Sequence, residues 1–253
     1  MGLHNRVAIV TGATRGIGRA AAVKLATLGA AVIATGRDET AGRETQAQIA
    51  ATGGRGQFVP HDVAREEDWT RVTDAAFMHF GGVDIVVNNA GVFFVKPLAD
   101  TSVADWDLAY RVNVEGVWLG VKHGLAAIAK TGRGGAIVNV SSLMGQVGYP
   151  NAIAYCATKG AITGMTKAAA MEGGAMRPPV RVNSLHPGVI WTEMITGQFG
   201  DSQELADAFA ADTPLRMVGL PEHMADAIAY LASDESSYVT GAELTVDGGR
   251  GAD

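Results

Sequence analysis

The chain has 253 residues, of which 47% are apolar and 18% charged, and its formal net charge is −6. This composition is typical of a globular protein with a large core and excludes a disordered or fibrous chain. The single cysteine excludes an intramolecular disulfide, and the lack of a basic cluster argues against a nucleic-acid partner.

No apolar run in the sequence has the length of a membrane-spanning helix, so we expect no membrane association. A strand-like apolar pattern begins at residue 6 and leaves no room for a signal peptide. Because nothing in the sequence indicates export, we expect the protein to be cytoplasmic.

Short runs rich in β-branched residues recur along the chain. The predicted strands are 6–12, 31–36, 56–62, 83–91, 135–142, 180–188 and 241–249. Several are apolar on consecutive residues, which is typical of strands covered on both faces. Helical patterns separate them, among them one over 101–130 that begins with the N-cap candidate "TSVADW". This alternation predicts a Rossmann-type, doubly wound α/β fold with a seven-stranded parallel sheet, helices on both faces and a single domain over residues 1–253.

Residues 189–219 depart from this alternation. They follow Pro187 and Gly188, contain Gly197 and Gly200, and become weakly helical only at "SQELADAFAA". Ligands of open α/β sheets lie beyond the carboxyl ends of the strands, so this segment is a candidate substrate lid. The alternative is an ordinary surface excursion.

The first predicted strand runs into "TGATRGIG", which contains Gly12, Gly16 and Gly18. Glycine allows a tight turn and a close approach of the backbone to a pyrophosphate, and the following helix offers unpaired N–H groups. The motif therefore indicates a dinucleotide site, although any tight strand-to-helix turn favours glycine.

Tyr155 and Lys159 are four residues apart in "AYCATKGA" and share one face if this stretch is helical. Together with the glycine turn, "NNAG" at 88–91, Ser142, "HPG" and the terminal "VDGG", the pair resembles the short-chain dehydrogenase/reductase family. The resemblance covers essentially the whole chain. It is closer to the bacterial secondary-alcohol dehydrogenases and ketone reductases than to the longer sugar-nucleotide epimerases.

The resemblance implies a catalytic set of Asn113, Ser142, Tyr155 and Lys159. Tyr155 would exchange the proton with the substrate oxygen, and a neighbouring ammonium is expected to lower its pKa toward the working range. Ser142 would bind that oxygen, with Ser141 as the competitor that points to the opposite face of the strand. Asn113 would hold a water that links Lys159 to solvent. Its alternative is a buried amide that bridges backbone groups.

The resemblance also implies the cofactor-binding residues. They are Gly12, Thr14, Arg15, Gly16, Ile17, Gly18, Arg37, Asp62, Val63, Asn89, Ala90, Gly91, Tyr155, Lys159, Pro187, Gly188, Ile190 and Thr192. NAD-selective units place an acid at the end of the second strand, and this chain has Gly36 there, followed by Arg37. We therefore expect NADP(H) to be preferred, with NAD(H) possible if Asp38 or Glu39 turns back to the ribose.

The expected substrate is a hydrophobic secondary alcohol or ketone. The candidate substrate residues are Phe94, Met144, Tyr149, Val189, Trp191 and Met194, with Phe93, Leu143 and Val147 nearby. Lys96 is the one cation in these segments, so an anionic group would lack a bidentate partner. The histidines show no metal-ligand spacing, and we expect no catalytic metal.

Several alternatives stay open at this point. Within the enzyme class they are reduction of 3-oxoacyl groups on an acyl carrier protein and an NAD-dependent steroid or cyclic alcohol dehydrogenase. A different class is a non-catalytic dinucleotide-binding sensor, which need not keep all four catalytic residues. The resemblance alone also predicts a homotetramer.

Overall fold

Seven parallel strands form a single sheet in the computed structural model, which describes residues 2–252. The strands are β1 Val7–Val10, β2 Ala31–Gly36, β3 Arg55–Pro60, β4 Ile85–Asn88, β5 Gly135–Val140, β6 Val180–Pro187 and β7 Glu243–Val246. Their order is β3-β2-β1-β4-β5-β6-β7. The predicted doubly wound sheet is confirmed.

Helices connect the strands and cover both faces of the sheet. They are α1 Gly16–Thr27, α2 Glu39–Ala51, α3 Glu66–Phe80, α4 Val103–Tyr110, α5 Gly116–Thr131, α6 Ile153–Ala175, α7 Glu193–Phe199, α8 Gln203–Ala211 and α9 Pro221–Ala232. Among residues 2–252, no helix combines the length and the apolar composition needed to cross a lipid bilayer.

The strand order reverses between β1 and β4, which pair through Ala8 with Ile85 and Val10 with Val87. One apolar core packs α1 and α9 against the sheet, and a second packs α3 and α5 against the other face. Parallel strands point their carboxyl ends to the same edge, so the carboxyl ends of β1, β4, β5 and β6 follow one another along the edge of the sheet that includes this reversal. Ligands of doubly wound folds bind there.

All strands except β2 end one to three residues earlier than predicted, and two of these differences, at β4 and β5, bear on the site. β4 ends at Asn88 because the next residue leaves the ladder: the Asn89 amide donates to the carbonyl oxygens of Thr11, at 2.9 Å, and Gly12, at 3.3 Å. β5 ends at Val140, so Ser141 and Ser142 lie beyond the strand rather than within it. Both departures occur at the sheet edge where the predicted site lies.

The helical pattern predicted over 101–130 is confirmed, with one irregularity in its middle. Ser102 caps α4 in a reciprocal pair with Asp105, as the sequence indicated, but a π-helical turn over Arg111–Glu115 separates α4 from α5. The physical reason is Asn113, whose side chain is bound by the backbone of Val92 and inserts at this turn. Apolar periodicity does not distinguish such a turn from a regular helix.

The candidate lid leaves and rejoins the fold at one point. Ile190 and Gly219 form an isolated parallel bridge, and Trp191 N donates to Gly219 O at 2.8 Å. Between them lie α7, which the sequence did not predict, and α8, which it did. α7 has a glycine within it and no buried residue, so its apolar pattern is weak.

Candidate active site

The glycine turn after β1 has the shape of a phosphate cradle. Gly12 and Gly16 have positive φ angles of 62° and 51°. A Cβ atom at Gly12 would lie 2.8 Å from the Ala90 Cα, and one at Gly18 would lie 2.3 Å from the Gly12 carbonyl oxygen. Helix α1 begins at Gly16, and no side chain caps it. Its first N–H groups therefore fit a pyrophosphate, which supports dinucleotide binding.

Arg19 ties this turn to helix α2. Its guanidinium donates to the Thr14 carbonyl oxygen, to Thr45 Oγ1 at 3.0 Å and to the Ala41 carbonyl oxygen at 3.3 Å. The glycine motif points to Arg15 and not to Arg19, because the contacts of Arg19 cross between two elements. Arg19 therefore holds the turn against the segment that follows β2.

The end of β2 presents glycine and exposed arginine together. A Cβ atom at Gly36 would lie 2.6 Å from Thr14 Cγ2, so the space beside Gly36 is filled by a methyl group. Arg37 and Arg15 are exposed, and within residues 2–252 neither side chain has an ion-pair partner. Asp38 instead caps α2 by accepting from Ala41 N at 3.1 Å.

The remaining predicted cofactor residues lie at neighbouring strand ends. Asp62 and Val63 follow β3; Asp62 N donates to the Asp68 carboxylate, and the Val63 carbonyl accepts from the Trp69 indole. Ala90 N donates to Thr11 Oγ1 at 3.0 Å, which fixes the segment after β4 beside the glycine turn.

A cavity of about 220 Å³ opens beside this turn. Its lining residues come from α1, from the segments that follow β4, β5 and β6, from α6, from the lid and from the C-terminal segment. They are Ile17, Asn89, Gly91, Phe93, Val140, Ser141, Ser142, Leu143, Met144, Val147, Gly148, Tyr149, Tyr155, Lys159, Pro187, Gly188, Val189, Ile190, Thr192, Met194, Ile195 and Arg250. Three of the four predicted catalytic residues are therefore in one cavity with seven further predicted cofactor residues.

Tyr155 and Lys159 lie one turn apart on α6, with the Lys159 nitrogen 5.5 Å from the centre of the Tyr155 ring. The ammonium donates to the Val140 carbonyl oxygen at 2.9 Å. Burial lowers the pKa of Lys159 to about 8. We expected the ammonium to lower the pKa of Tyr155, but burial raises it to about 12, and the Ser142 hydroxyl only partly opposes this. The chain's own groups thus keep the phenol protonated.

The two serines after β5 have different surroundings. The Ser141 hydroxyl donates to the Lys159 carbonyl oxygen at 2.8 Å and so joins β5 to α6. The Ser142 hydroxyl accepts from Met144 N at 3.1 Å and interacts with the Tyr155 phenol. His186 is fully buried, its Nδ1 lies 3.0 Å from the Ser142 carbonyl oxygen, and burial lowers its pKa. A neutral ring that donates from Nδ1 fits this contact, so His186 holds the backbone of Ser142 in place.

Asn113 does not line the cavity but lies directly behind it. Its carboxamide accepts from Val92 N at 2.8 Å and donates to Val92 O at 3.0 Å and Thr158 Oγ1 at 3.1 Å. These contacts are the ones expected of a buried amide that bridges backbone groups, which was the alternative to a water-holding role for Asn113. The side chain also approaches Lys159: a Cβ atom at Gly91 would lie 3.2 Å from Asn113 Oδ1 and 3.7 Å from Lys159 Nζ.

The predicted substrate residues are only partly brought together. Met144, Tyr149, Val189 and Met194 line the cavity, as do Phe93, Leu143 and Val147. Trp191 and Phe94 do not; Trp191 instead lines an open groove between α1 and α9. Its position next to Ile190, which faces inward, directs its ring to the other side of the chain.

The charged residue at the cavity differs from the one expected. Lys96 pairs with the Asp105 carboxylate at 2.6 Å and does not line the cavity. Arg250, near the C-terminus, does line it and pairs with Asp212 at 3.1 Å. The expectation that an anionic group would lack an arginine here is therefore wrong. No pattern in the sequence connects residue 250 with the lid.

Aromatic rings link the lid to Tyr155. The Phe93 ring meets the Tyr155 ring edge-on at 4.8 Å between centroids and lies 6.2 Å from the Phe199 ring of α7. Phe199 in turn contacts Phe209 of α8 at 5.6 Å. Of the lid helices, α7 lines the cavity through Met194 and Ile195, and α8 packs behind α7. In residues 2–252, His, Cys, Asp and Glu side chains form no group of three or more that could hold a metal ion.

Comparison with known proteins agrees with this architecture. A family model described as enoyl-(acyl carrier protein) reductase matches residues 12–250. The NADP-dependent (R)-specific alcohol dehydrogenase of Lentilactobacillus kefiri is 40% identical over 247 residues, which cover 98% of this chain and 97% of that protein. The cyclopentanol dehydrogenase of Comamonas testosteroni has the same identity and coverage.

A solved structure from Sinorhizobium meliloti 1021, provisionally assigned as a short-chain alcohol dehydrogenase, matches with a TM-score of 0.93 at 38% identity. This match covers 100% of the chain and 98% of that structure. The chain belongs to the short-chain dehydrogenase/reductase family and is an NAD(P)-dependent oxidoreductase of alcohols and ketones.

Proposed function

We propose that this chain transfers hydride between NADP(H) and a hydrophobic secondary alcohol or its ketone, with Tyr155 as the general acid and base. The observation that carries the proposal is the cavity shared by Ser142, Tyr155 and Lys159 beside the glycine turn. A substrate oxygen in this cavity would lie beside the Ser142 hydroxyl and the Tyr155 phenol, with the Lys159 amine one helical turn from the phenol.

The bound cofactor supplies or accepts the hydride at its nicotinamide ring. In ketone reduction, Tyr155 donates its proton to the developing alkoxide, and Ser142 holds the same oxygen by a hydrogen bond. A pKa of about 12 keeps the Tyr155 proton in place at neutral pH, so the chain's own groups favour the reductive direction. Oxidation needs Tyr155 without this proton and should gain from alkaline pH.

Asn113 and Lys159 continue the proposed proton path behind Tyr155. The support is their approach to the same point beside Gly91 and the π-helical turn at Asn113, which takes backbone groups out of the regular helical ladder. A water held there would connect the Lys159 amine to solvent. Because the Asn113 amide also bridges Val92 and Thr158, we expect its loss to affect stability as well as rate.

The preference for NADP(H) rests on the end of β2. Gly36 provides no carboxylate for the ribose hydroxyls, and Arg37 and Arg15 are exposed cations that suit a 2′-phosphate. The two acidic residues that could bind the ribose hydroxyls in place of an acid at position 36 have other partners: Asp38 caps α2, and Glu39 pairs with Arg43 at 3.5 Å. The relative from L. kefiri is NADP-dependent by name. NAD(H) as the weaker cofactor remains compatible with the same cradle.

The hydrophobic substrate class rests on the cavity wall. Phe93, Met144, Val147, Val189 and Met194 line the same cavity as Tyr155 and make its wall largely apolar. The cyclopentanol dehydrogenase relative is named for a cyclic secondary alcohol.

The 3-oxoacyl-(acyl carrier protein) alternative finds less support. An acyl carrier protein is acidic, and the lid beside the cavity carries Glu193, Asp201, Glu204, Asp207 and Asp212. Like charges on the two partners oppose docking. Turnover of a 3-oxoacyl-(acyl carrier protein) above that of cyclic ketones would favour the alternative.

The proposed homotetramer has support in exposed apolar side chains of α4 and α5. Val103, Trp106 and Tyr110 of α4 are 76%, 40% and 45% exposed, and Trp118 of α5 is 48% exposed. Large exposed apolar side chains, among them the stacked Trp106 and Tyr110, are typical of an interface. Light scattering at micromolar concentration should give a tetramer, and Val103→Glu should lower the mass. The control Met78→Glu, at an exposed methionine of α3, should not.

The test of the function is an initial-rate panel of neutral cyclic and aryl ketones, and the matching alcohols, with NADPH and NADH. We expect turnover of at least one secondary pair and a higher kcat/KM with NADPH. Cofactor binding without turnover of any ketone or alcohol would contradict the proposed activity.

A further inference from the structure

We infer that Arg250 binds a carboxylate carried by the substrate, at the end of its apolar body remote from the reacting carbon. This inference rests on the proposed function, because it concerns the same cavity. It names the substrate class as an oxo acid or hydroxy acid whose ketone or secondary alcohol lies beside Tyr155. Arg250 is the arginine that lines this cavity among the described residues.

The backbone around Arg250 is held on both sides. The Asp247 carboxylate accepts from Gly249 N at 2.9 Å and from Gly251 N at 2.6 Å. Gly251 packs so closely on Leu143 that a Cβ atom there would lie 2.5 Å from Leu143 Cδ1. Leu143 follows Ser142 directly. The segment 247–251 is therefore built against the site, and the position of Arg250 is not that of a loose terminus.

The Arg250 side chain has binding capacity left over. Only 21% of it is exposed, and its Nη2 atom pairs with Asp212 at 3.1 Å. Within residues 2–252, Nη1 and Nε of Arg250 have no hydrogen-bond acceptor. A guanidinium has five N–H donors arranged for bidentate binding of a carboxylate. One single contact to an exposed carboxylate leaves most of these donors available.

Asp212 is a weak competitor for this guanidinium. Its side chain is 59% exposed, and ion pairs with exposed partners contribute little because water screens them. A substrate carboxylate inside the cavity would be surrounded by apolar side chains, where the same pair is screened less. The apolar wall would bind the body of the substrate, and Arg250 would select the acid over its neutral ester.

The test compares oxo acids with their methyl esters in NADPH-dependent reduction. 4-Oxopentanoate, 5-oxohexanoate and 6-oxoheptanoate provide three separations between the ketone and the carboxylate. We expect kcat/KM of the acid to exceed that of its ester by about tenfold or more at the best length. In Arg250→Met this ratio should fall to about one or below.

Asp212→Asn supplies the opposite change. Removing the competing carboxylate should raise the acid-to-ester ratio, because Arg250 loses its only intramolecular partner among the described residues. If the pair instead only fastens the lid, both substitutions would lower the rates of acid and ester equally and leave the ratio unchanged. That result would overturn the inference.

Two further outcomes are decisive. Should Arg250→Met not fold, the wild-type ratio and its rise in Asp212→Asn still test the inference, and a wild-type ratio below one at every length overturns it. Reduction of neutral ketones without acid preference overturns this inference and leaves the proposed function intact. Failure to reduce any ketone with either cofactor overturns both.

Discussion

The Lys159 amine lies 5.5 Å from the centre of the Tyr155 ring, one turn along α6. Burial lowers the pKa of Lys159 to about 8 and raises that of Tyr155 to about 12. At neutral pH the pair therefore consists of a charged amine and a protonated phenol. This is the state that a ketone reductase needs before the proton moves.

The first prediction concerns the pH dependence of the rate. The Lys159 ammonium is present below its pKa of about 8 and is lost as the pH rises through that value, whereas Tyr155 keeps its proton up to about 12. Ketone reduction should therefore decline with an apparent pKa near 8, while the ratio of alcohol oxidation to reduction rises. Steady-state kcat/KM values across neutral and alkaline pH measure both.

Lys159→Arg is the control, since its charge persists throughout this range. An active Lys159→Arg enzyme should lose the decline. A wild-type reduction rate that stays constant well above the Lys159 pKa would show that the ammonium charge is not used.

The second prediction concerns cofactor choice. Gly36→Asp introduces the ribose-binding acid but brings a Cβ atom to 2.6 Å from Thr14 Cγ2. The single variant should therefore lose affinity for both cofactors. The double variant Thr14→Ala/Gly36→Asp removes the clashing methyl group, and its kcat/KM ratio should shift toward NADH by about tenfold or more.

Thr14→Ala alone is the matched control and should keep the NADPH preference, because Gly36 and Arg37 are unchanged. A wild type that prefers NADH would contradict the proposal that Gly36 and Arg37 select NADP(H), whatever the variants do.

The third prediction concerns the stability of the sheet. Asp84 is fully buried before β4, where its carboxylate accepts from Val7 N at 2.8 Å and from Arg133 Nε and Nη2 at 2.9 and 2.8 Å. Asp84→Asn keeps the shape but breaks a charge-assisted pair at a buried site. We expect it to lower the free energy of unfolding by about 3 kcal/mol in urea denaturation.

Glu67→Gln is the control, because the Arg65–Glu67 pair is exposed on both sides. It should change the unfolding free energy far less. Equal effects of the two substitutions would mean that burial of Asp84 does not strengthen its pair.

The sheet was predictable because its strands are covered on both faces. Residues 31–36 are all buried and read as a continuous run, so the predicted and observed bounds of β2 agree. The glycine turn and the Tyr155–Lys159 pair are local in sequence, and a short motif was enough to find them. Features that are set by residues close together in the sequence were therefore predictable from the sequence alone.

The features that the sequence did not predict depend on contacts between segments that are far apart in the chain. The π-helical turn at Asn113 is set by Val92, and the place of Arg250 is set by Asp212 and Leu143. The pKa of Tyr155 was predicted in the wrong direction because the sequence shows the neighbouring charge but not the burial. Tertiary packing decides each of these.

The most direct test of the central claim is the rate of NADPH-dependent ketone reduction by Tyr155→Phe. The substitution keeps the ring that packs against Phe93 at 4.8 Å and removes only the proton donor. We expect kcat to fall by roughly 10²–10⁴-fold while the Kd for NADPH, measured on the same preparation, stays within about threefold of wild type. A Tyr155→Phe enzyme that reduces ketones at close to the wild-type rate would contradict the assignment of Tyr155 as the acid and, with it, the proposed mechanism.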